Sequence, residues 1–133
     1  MHTASIVPKL SEIEPNFVIL VQSGLEMALE NFQKWDFCSM FGVGIQGDGH
    51  LLYLGSPLTS PTGVIGMRSW IEKEIRIHNQ NCNSDTIQQY IIISQIQISG
   101  QNGLQIDLFQ QMQPIGKVHY LIQKPHLSEL IRF

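Results

Sequence analysis

Few residues in the chain have the types and spacing that chemistry requires. There are five histidines (His2, His50, His78, His119, His126) and two cysteines (Cys38, Cys82). His78 and Cys82 stand four apart at a helix end, a spacing that suits two metal ligands. A zinc site wants three or four ligands, and no second pair stands at ligand spacing, so no metal is expected. Neither cysteine has a CxxC partner or a flanking basic run that would lower its thiol pKa, so both read as ordinary reduced thiols. The run Gly42-Val43-Gly44-Ile45-Gln46-Gly47 matches GxGxxG. A dinucleotide site needs a helix to follow, with its N-terminus on the pyrophosphate, but here the strand-like His50–Leu54 follows. A kinase glycine-rich loop sits between strands but needs a lysine strand, a catalytic loop and about twice this length. The glycines are better explained by close approach of a helix and by a turn. Asp48 and His50 share that turn, and Asp107 has only Gln97 and Gln123 in its expected row. With no GxSxG or HExxH present, no catalytic residue and no cofactor is expected, and a non-enzymatic role is favoured.

The elements that would position these residues follow from periodicity. From Asn16 to Trp35, Phe17, Leu20, Val21, Leu25, Ala28, Leu29, Phe32 and Trp35 recur at three- and four-residue spacing, which predicts one buried helical face. The helix is started by a capping box at Ser11–Glu14, or by Glu14 as cap with Pro15 at the first helical position. Gly24 costs this helix about 1 kcal/mol relative to Ala, tolerable if another backbone packs close. Phe37–Ile45 and Leu51–Leu54 flank an Asp-Gly turn, predicting a β-hairpin over 37–55. Residues 56–63 are dense in turn formers, and Thr62 can cap a second helix over about 64–79, with Glu72 and Arg76 as an i,i+4 pair. Three strands follow, at about 87–99, 104–113 and 117–123, with turns at Gly100–Gly103 and Pro114–Gly116. A stub at His126–Phe133 is read as one or two helical turns. The expected fold is α+β: a single domain over 1–133, an antiparallel sheet with both helices packed on one face, and the order α-β-β-α-β-β-β with a final α.

Alternation assigns faces. Placing Gln101-Asn102-Gly103 as a three-residue loop pairs Ile98 with Ile106 and puts Ile92, Ile96, Ile106, Leu108, Val118 and Ile122 on the covered face. In that register Ser94, Gln110 and Tyr120 form one polar row. Either they bond one another and the nearby backbone, or they line a ligand pocket between sheet and helices. The opposite face carries Gln95, Gln97, Gln105, Gln111 and Gln123, but also Ile91, Ile93, Phe109 and Leu121. A contiguous apolar group of this kind predicts a dimer or partner interface, the alternatives being cover by a chain end or a merely exposed patch.

Composition narrows the partners. Only 14% of the 133 residues are charged and the net charge is −3; with no Lys/Arg cluster, a phosphate-binding nucleic-acid surface is not expected. The longest apolar runs, Phe17–Val21 and Tyr90–Ile93, are far below the roughly 18 residues of a membrane helix. No basic region followed by an apolar stretch opens the chain, so a cytoplasmic location away from membranes is expected. Of the 18 Ile and 14 Gln, most of the Gln and half of the Ile fall in residues 87–123.

The hairpin Phe41-Gly-Val-Gly-Ile-Gln-Gly-Asp-Gly-His-Leu-Leu-Tyr-Leu54, set in this element order, resembles that of roadblock-type and profilin-like sandwich domains, which implies a dimerising platform for protein assemblies. The end of the first helix at Trp35-Asp36, the Gly-led helix from Gly63 to Trp70 and the three long strands also resemble the nuclear-transport-factor-like, cystatin-like cone. That likeness implies a ligand pocket, with Tyr120 as its one matching residue. Together these readings predict a protein-interaction or assembly module that dimerises or docks through Ile91, Ile93, Phe109 and Leu121. The alternative is a small-molecule binding or isomerase-type domain with its pocket at Ser94, Gln110 and Tyr120.

Overall fold

The computed structural model describes residues 15–55, 64–81, 85–123 and 126–130. Its elements are α1 (Pro15–Trp35), β1 (Phe41–Ile45), β2 (Leu51–Leu54), α2 (Val64–Asn81), β3 (Gln89–Ile98), β4 (Gln101–Gln110), β5 (Gln113–Gln123) and β6 (His126–Leu130). The six strands form one antiparallel sheet in the order β2-β1-β3-β4-β5-β6. The α+β class and the order through β5 are as the periodicity predicts. Pro15 begins α1, where its fixed φ and missing N–H cost nothing. The last segment departs from expectation: His126–Leu130 is an edge strand paired with β5 rather than a helical stub.

The helices lie on opposite faces of the sheet, not on one. Phe17, Leu20, Val21, Ala28 and Phe32 of α1 pack with Val43, Ile91, Ile93, Ile106, Leu108 and Val118. Met67, Ile71 and Ile75 of α2 pack with Tyr90, Ile92 and Phe109 on the other side. The physical reason lies in β3, whose Tyr90-Ile91-Ile92-Ile93 run is apolar at every position and fully buried. A strand without alternation needs both faces covered. The glycines of β1 make room for this layer. A Cβ at Gly42 would come within 2.9 Å of Ile71 Cγ2, and one at Gly44 within 2.8 Å of Ile87 Cγ2. In α1, Gly24 admits the Ile91 and Ile93 side chains against the helix.

The turns between the long strands are tighter than the hydrophobic pattern suggests. Ser99 (φ 50°) and Gly100 (φ 82°) join β3 to β4, and Gln111 (φ 51°) and Met112 (φ 67°) join β4 to β5. Two successive positive φ values are the signature of the type I′ turn, whose twist matches that of the strands. Gln101-Asn102-Gly103 and Pro114–Gly116 therefore lie within strands. Ile98 pairs with Gln101, and Ile106 pairs with Ile93 and Val118. The odd shift in register turns Ile91 and Ile93, not Ile92, to the side of Leu108 and Val118.

Candidate functional site

The expected docking patch is part of the core. Ile91 and Ile93 are fully buried beneath α1, and Phe109 is 1% exposed beneath α2. Phe109 stacks on Tyr90, with ring centroids 4.7 Å apart and planes 4° from parallel, and the Arg68 guanidinium sits 5.0 Å above it. Leu121 stands opposite Gly103 and is half-buried. The group divides because the real register puts Ile91 and Ile93 on one face and Phe109 and Leu121 on the other.

The expected polar row is likewise dissolved. Tyr120 pairs with Leu104 in the α1-side core, Ser94 pairs with Gln105 on the α2 side, and Gln110 pairs with Gln89 at the far end of the sheet. There Gln110 borders a small polar cleft of about 320 Å³ with Asn16, Gln46, Thr86, Gln88 and Gln89, in which Asn16 Nδ2 donates to Gln89 Oε1 (2.8 Å). Asp107 faces Lys117, not Gln97 and Gln123, and accepts from Gln105 Nε2 at 3.3 Å. His119, beside them on β5, lies 3.2 Å from Gln105 Oε1. His78 fastens the end of α2 to Asp85 O (3.0 Å), and the ion pair found on that helix is Arg68–Glu72 rather than Glu72–Arg76. Cys82 lies outside the described residues, among which no group of three His, Cys, Asp or Glu is placed to hold a metal. Among them, too, no helix is long and apolar enough to cross a membrane.

What the fold assembles instead is an apolar cleft of about 540 Å³ at the C-terminal end of α1. Met27, Asn31 and Trp35, one helical turn apart in succession, form one wall. The helix ends as Asp36 takes a left-handed conformation (φ 64°) and donates its N–H to the Phe32 carbonyl (3.0 Å). That reversal turns Phe37 outward and sends Cys38 inward, where its backbone N–H donates to Gln95 Oε1 at 2.9 Å. Ser39, Met40 and Phe41 then form the second wall, and Gly55, just past β2, closes one end. Burial pushes the Cys38 thiol up to about 11, against a weaker downward pull from Asn31. The sulfur beside the cleft is therefore a neutral thiol, not a nucleophile.

Trp35 (62% exposed), Phe37 (52%) and Tyr53 (50%) are three of the six large apolar residues exposed among the described ones; Trp35 and Phe37 line the cleft. Tyr53, paired with Val43, lies on the α1 side of the edge strand. Periodicity alone assigns Trp35 to the buried face of the helix. Its exposure follows from its place in the last turn of α1, beyond the buried Phe32. The one signal in the sequence was the Trp35-Asp36-Phe37 run at a helix end, two large aromatics on either side of a residue suited to the left-handed region.

No family model, curated protein or solved structure matches the chain.

Proposed function

We propose that this domain is a protein-interaction module that receives the apolar side chains of a partner along the flank between α1 and β2, with the cleft at Trp35 and Phe37 as its anchor point. The observation that carries the reading is the exposure of two large aromatics, Trp35 and Phe37, on a cleft of about 540 Å³, with the exposed Tyr53 on the neighbouring edge strand. Large aromatics half or more exposed around a concavity are the composition of interaction hot spots, and contiguous exposed apolar surface marks a contact site. Among the described residues the cleft is walled mainly by Met, Trp and Phe with Asn31 and Ser39 as its polar groups, and no Asp, Glu, Lys or Arg lines it. The complementary partner therefore presents aromatic or aliphatic side chains to the cleft.

Peptides selected from a random library on the full chain provide the test. The expected outcome is binders rich in large apolar residues that are lost with Trp35→Ala or Phe37→Ala and kept with Ile115→Ala, an exposed apolar residue on β5. Binding indifferent to Trp35 and Phe37 would refute the reading. A second reading, an apolar small molecule in the same cleft, is favoured by a volume inside the roughly 300–1,000 Å³ range of ligand sites. Quenching or a blue shift of Trp35 fluorescence by small aromatic compounds, with Trp70→Phe leaving one reporter, distinguishes it.

A further inference from the structure

We infer that the partner on this flank is a second copy of the chain, joined edge to edge through β2 about a two-fold axis. The inference rests on the reading of the flank as an interaction surface and adds the identity and register of what it binds.

β2 ends the sheet and, among the described residues, pairs only with β1. Gln46 N–H donates to the His50 carbonyl at 2.8 Å where the hairpin closes. Antiparallel ladders alternate hydrogen-bonded and open pairs, so Leu52 and Leu54 bond β1, and Leu51 and Tyr53 point their N–H and C=O groups outward. Exposed edges are normally blunted by charge, proline or a bulge. Leu51-Leu52-Tyr53-Leu54 has none of these.

The outward groups fit their own copy. With the two-fold axis at Leu52, Leu51 of each copy faces Tyr53 of the other, and the two pairs exchange four main-chain hydrogen bonds. On the α1 side each Tyr53 ring then lies over Leu51 of the second copy, and on the opposite side Leu52 meets Leu52. Identical chains bring like charges together wherever a self-pairing strand is charged, so an uncharged strand is what this symmetry requires. The same register carries the Asp48–His50 turn of the second copy alongside Leu54 and Gly55, at the mouth of the Trp35 cleft. The interface thus continues from the edge strand into the apolar flank.

Sedimentation equilibrium on the full chain, with circular dichroism to verify folding, tests this. The expected result is a concentration-dependent dimer that Tyr53→Lys weakens by roughly tenfold or more. Leu52→Cys, placed on the axis where facing Cα atoms come about 4.5 Å apart, should oxidise to a covalent dimer on a non-reducing gel, and Leu54→Cys should not. A wild-type chain that stays monomeric in the hundred-micromolar range overturns the inference, as does a dimer indifferent to Tyr53→Lys or one that Leu52→Cys fails to cross-link. A monomer that still binds Trp35-dependent peptides overturns the second copy alone. A wild-type dimer whose monomeric Tyr53→Lys variant shows no such binding overturns the general docking reading and leaves the edge pairing in place.

Discussion

Tyr90, Cys38 and His119 show at the scale of single residues how burial decides protonation. The Tyr90 hydroxyl is buried with no hydrogen-bond partner among the described residues, and burial, aided by the Glu72 charge, pushes its pKa up to about 12. The ring stays neutral at any physiological pH, and its role is packing: the stack on Phe109 anchors the α2-side core. His119 links burial to pH-dependent stability. Burial holds its pKa below the usual value, with Lys117 adding to the effect and Asp107 opposing it. The fold therefore favours the neutral imidazole, whereas the unfolded chain takes up the proton near pH 6.5. Between the depressed native value and about 6.5 the unfolded state holds more protons, so stability is complete above that window and falls as pH drops through it. Urea unfolding at about pH 7.5 and pH 5.5 checks this: the wild type should lose stability at the lower pH, and His119→Gln should remove part of that loss.

Individual elements were legible to different degrees. Both helices and the first hairpin could be read from spacing, because a 3.6-residue period and an Asp-Gly turn are local signals. The β1 glycines could be read as packing residues for the same reason, and Gly42 gives that reading a measurable form. A Cβ there meets Ile71 Cγ2 at 2.9 Å and the Ile91 carbonyl oxygen at 3.2 Å. The first belongs to a β-branched side chain and the second to the central strand's backbone, so neither can move away freely. Gly42→Ala should cost about 1–3 kcal/mol, read as a lower midpoint in thermal or urea unfolding. The strand register was not legible. Ser99-Gly100 and Gln111-Met112 carry weaker turn signals than Asn102-Gly103 and Pro114–Gly116, yet the chain turns at the former positions, and the resulting register sets Ile91 and Ile93 beside Leu108 and Ile106.

Over the whole molecule, stability should be graded from the centre of the sheet outward. β3 is flanked by β1 and β4 and covered by α1 on one face and α2 on the other. Its Tyr90–Ile93 amides should be the slowest to exchange with deuterium, and the outward amides of Leu51 and Tyr53 among the fastest in dilute solution. Faster exchange at β3 than at β2 would contradict the layered core. The composition gains a location in the same way. Ile is abundant because the central strand is apolar on both faces. Gln is abundant because its amides serve the strand faces and the polar ends of the sheet, as Gln95 does toward the Cys38 N–H and Gln89 toward Asn16.

The sequence by itself determined what depends on neighbours in the chain: helix periods, the Asp-Gly hairpin, the α+β class, and the lack of a motif for metal or nucleotide chemistry. The tertiary structure decided what depends on long-range parity: which face Ile91 and Ile93 occupy, where Phe109 and Tyr120 are buried, and that Trp35, Phe37 and Tyr53 share one flank. The reason is the period of two along a strand. A shift of one residue at a turn exchanges the faces of everything that follows, and only the packing of both helices on the central strand fixes that choice.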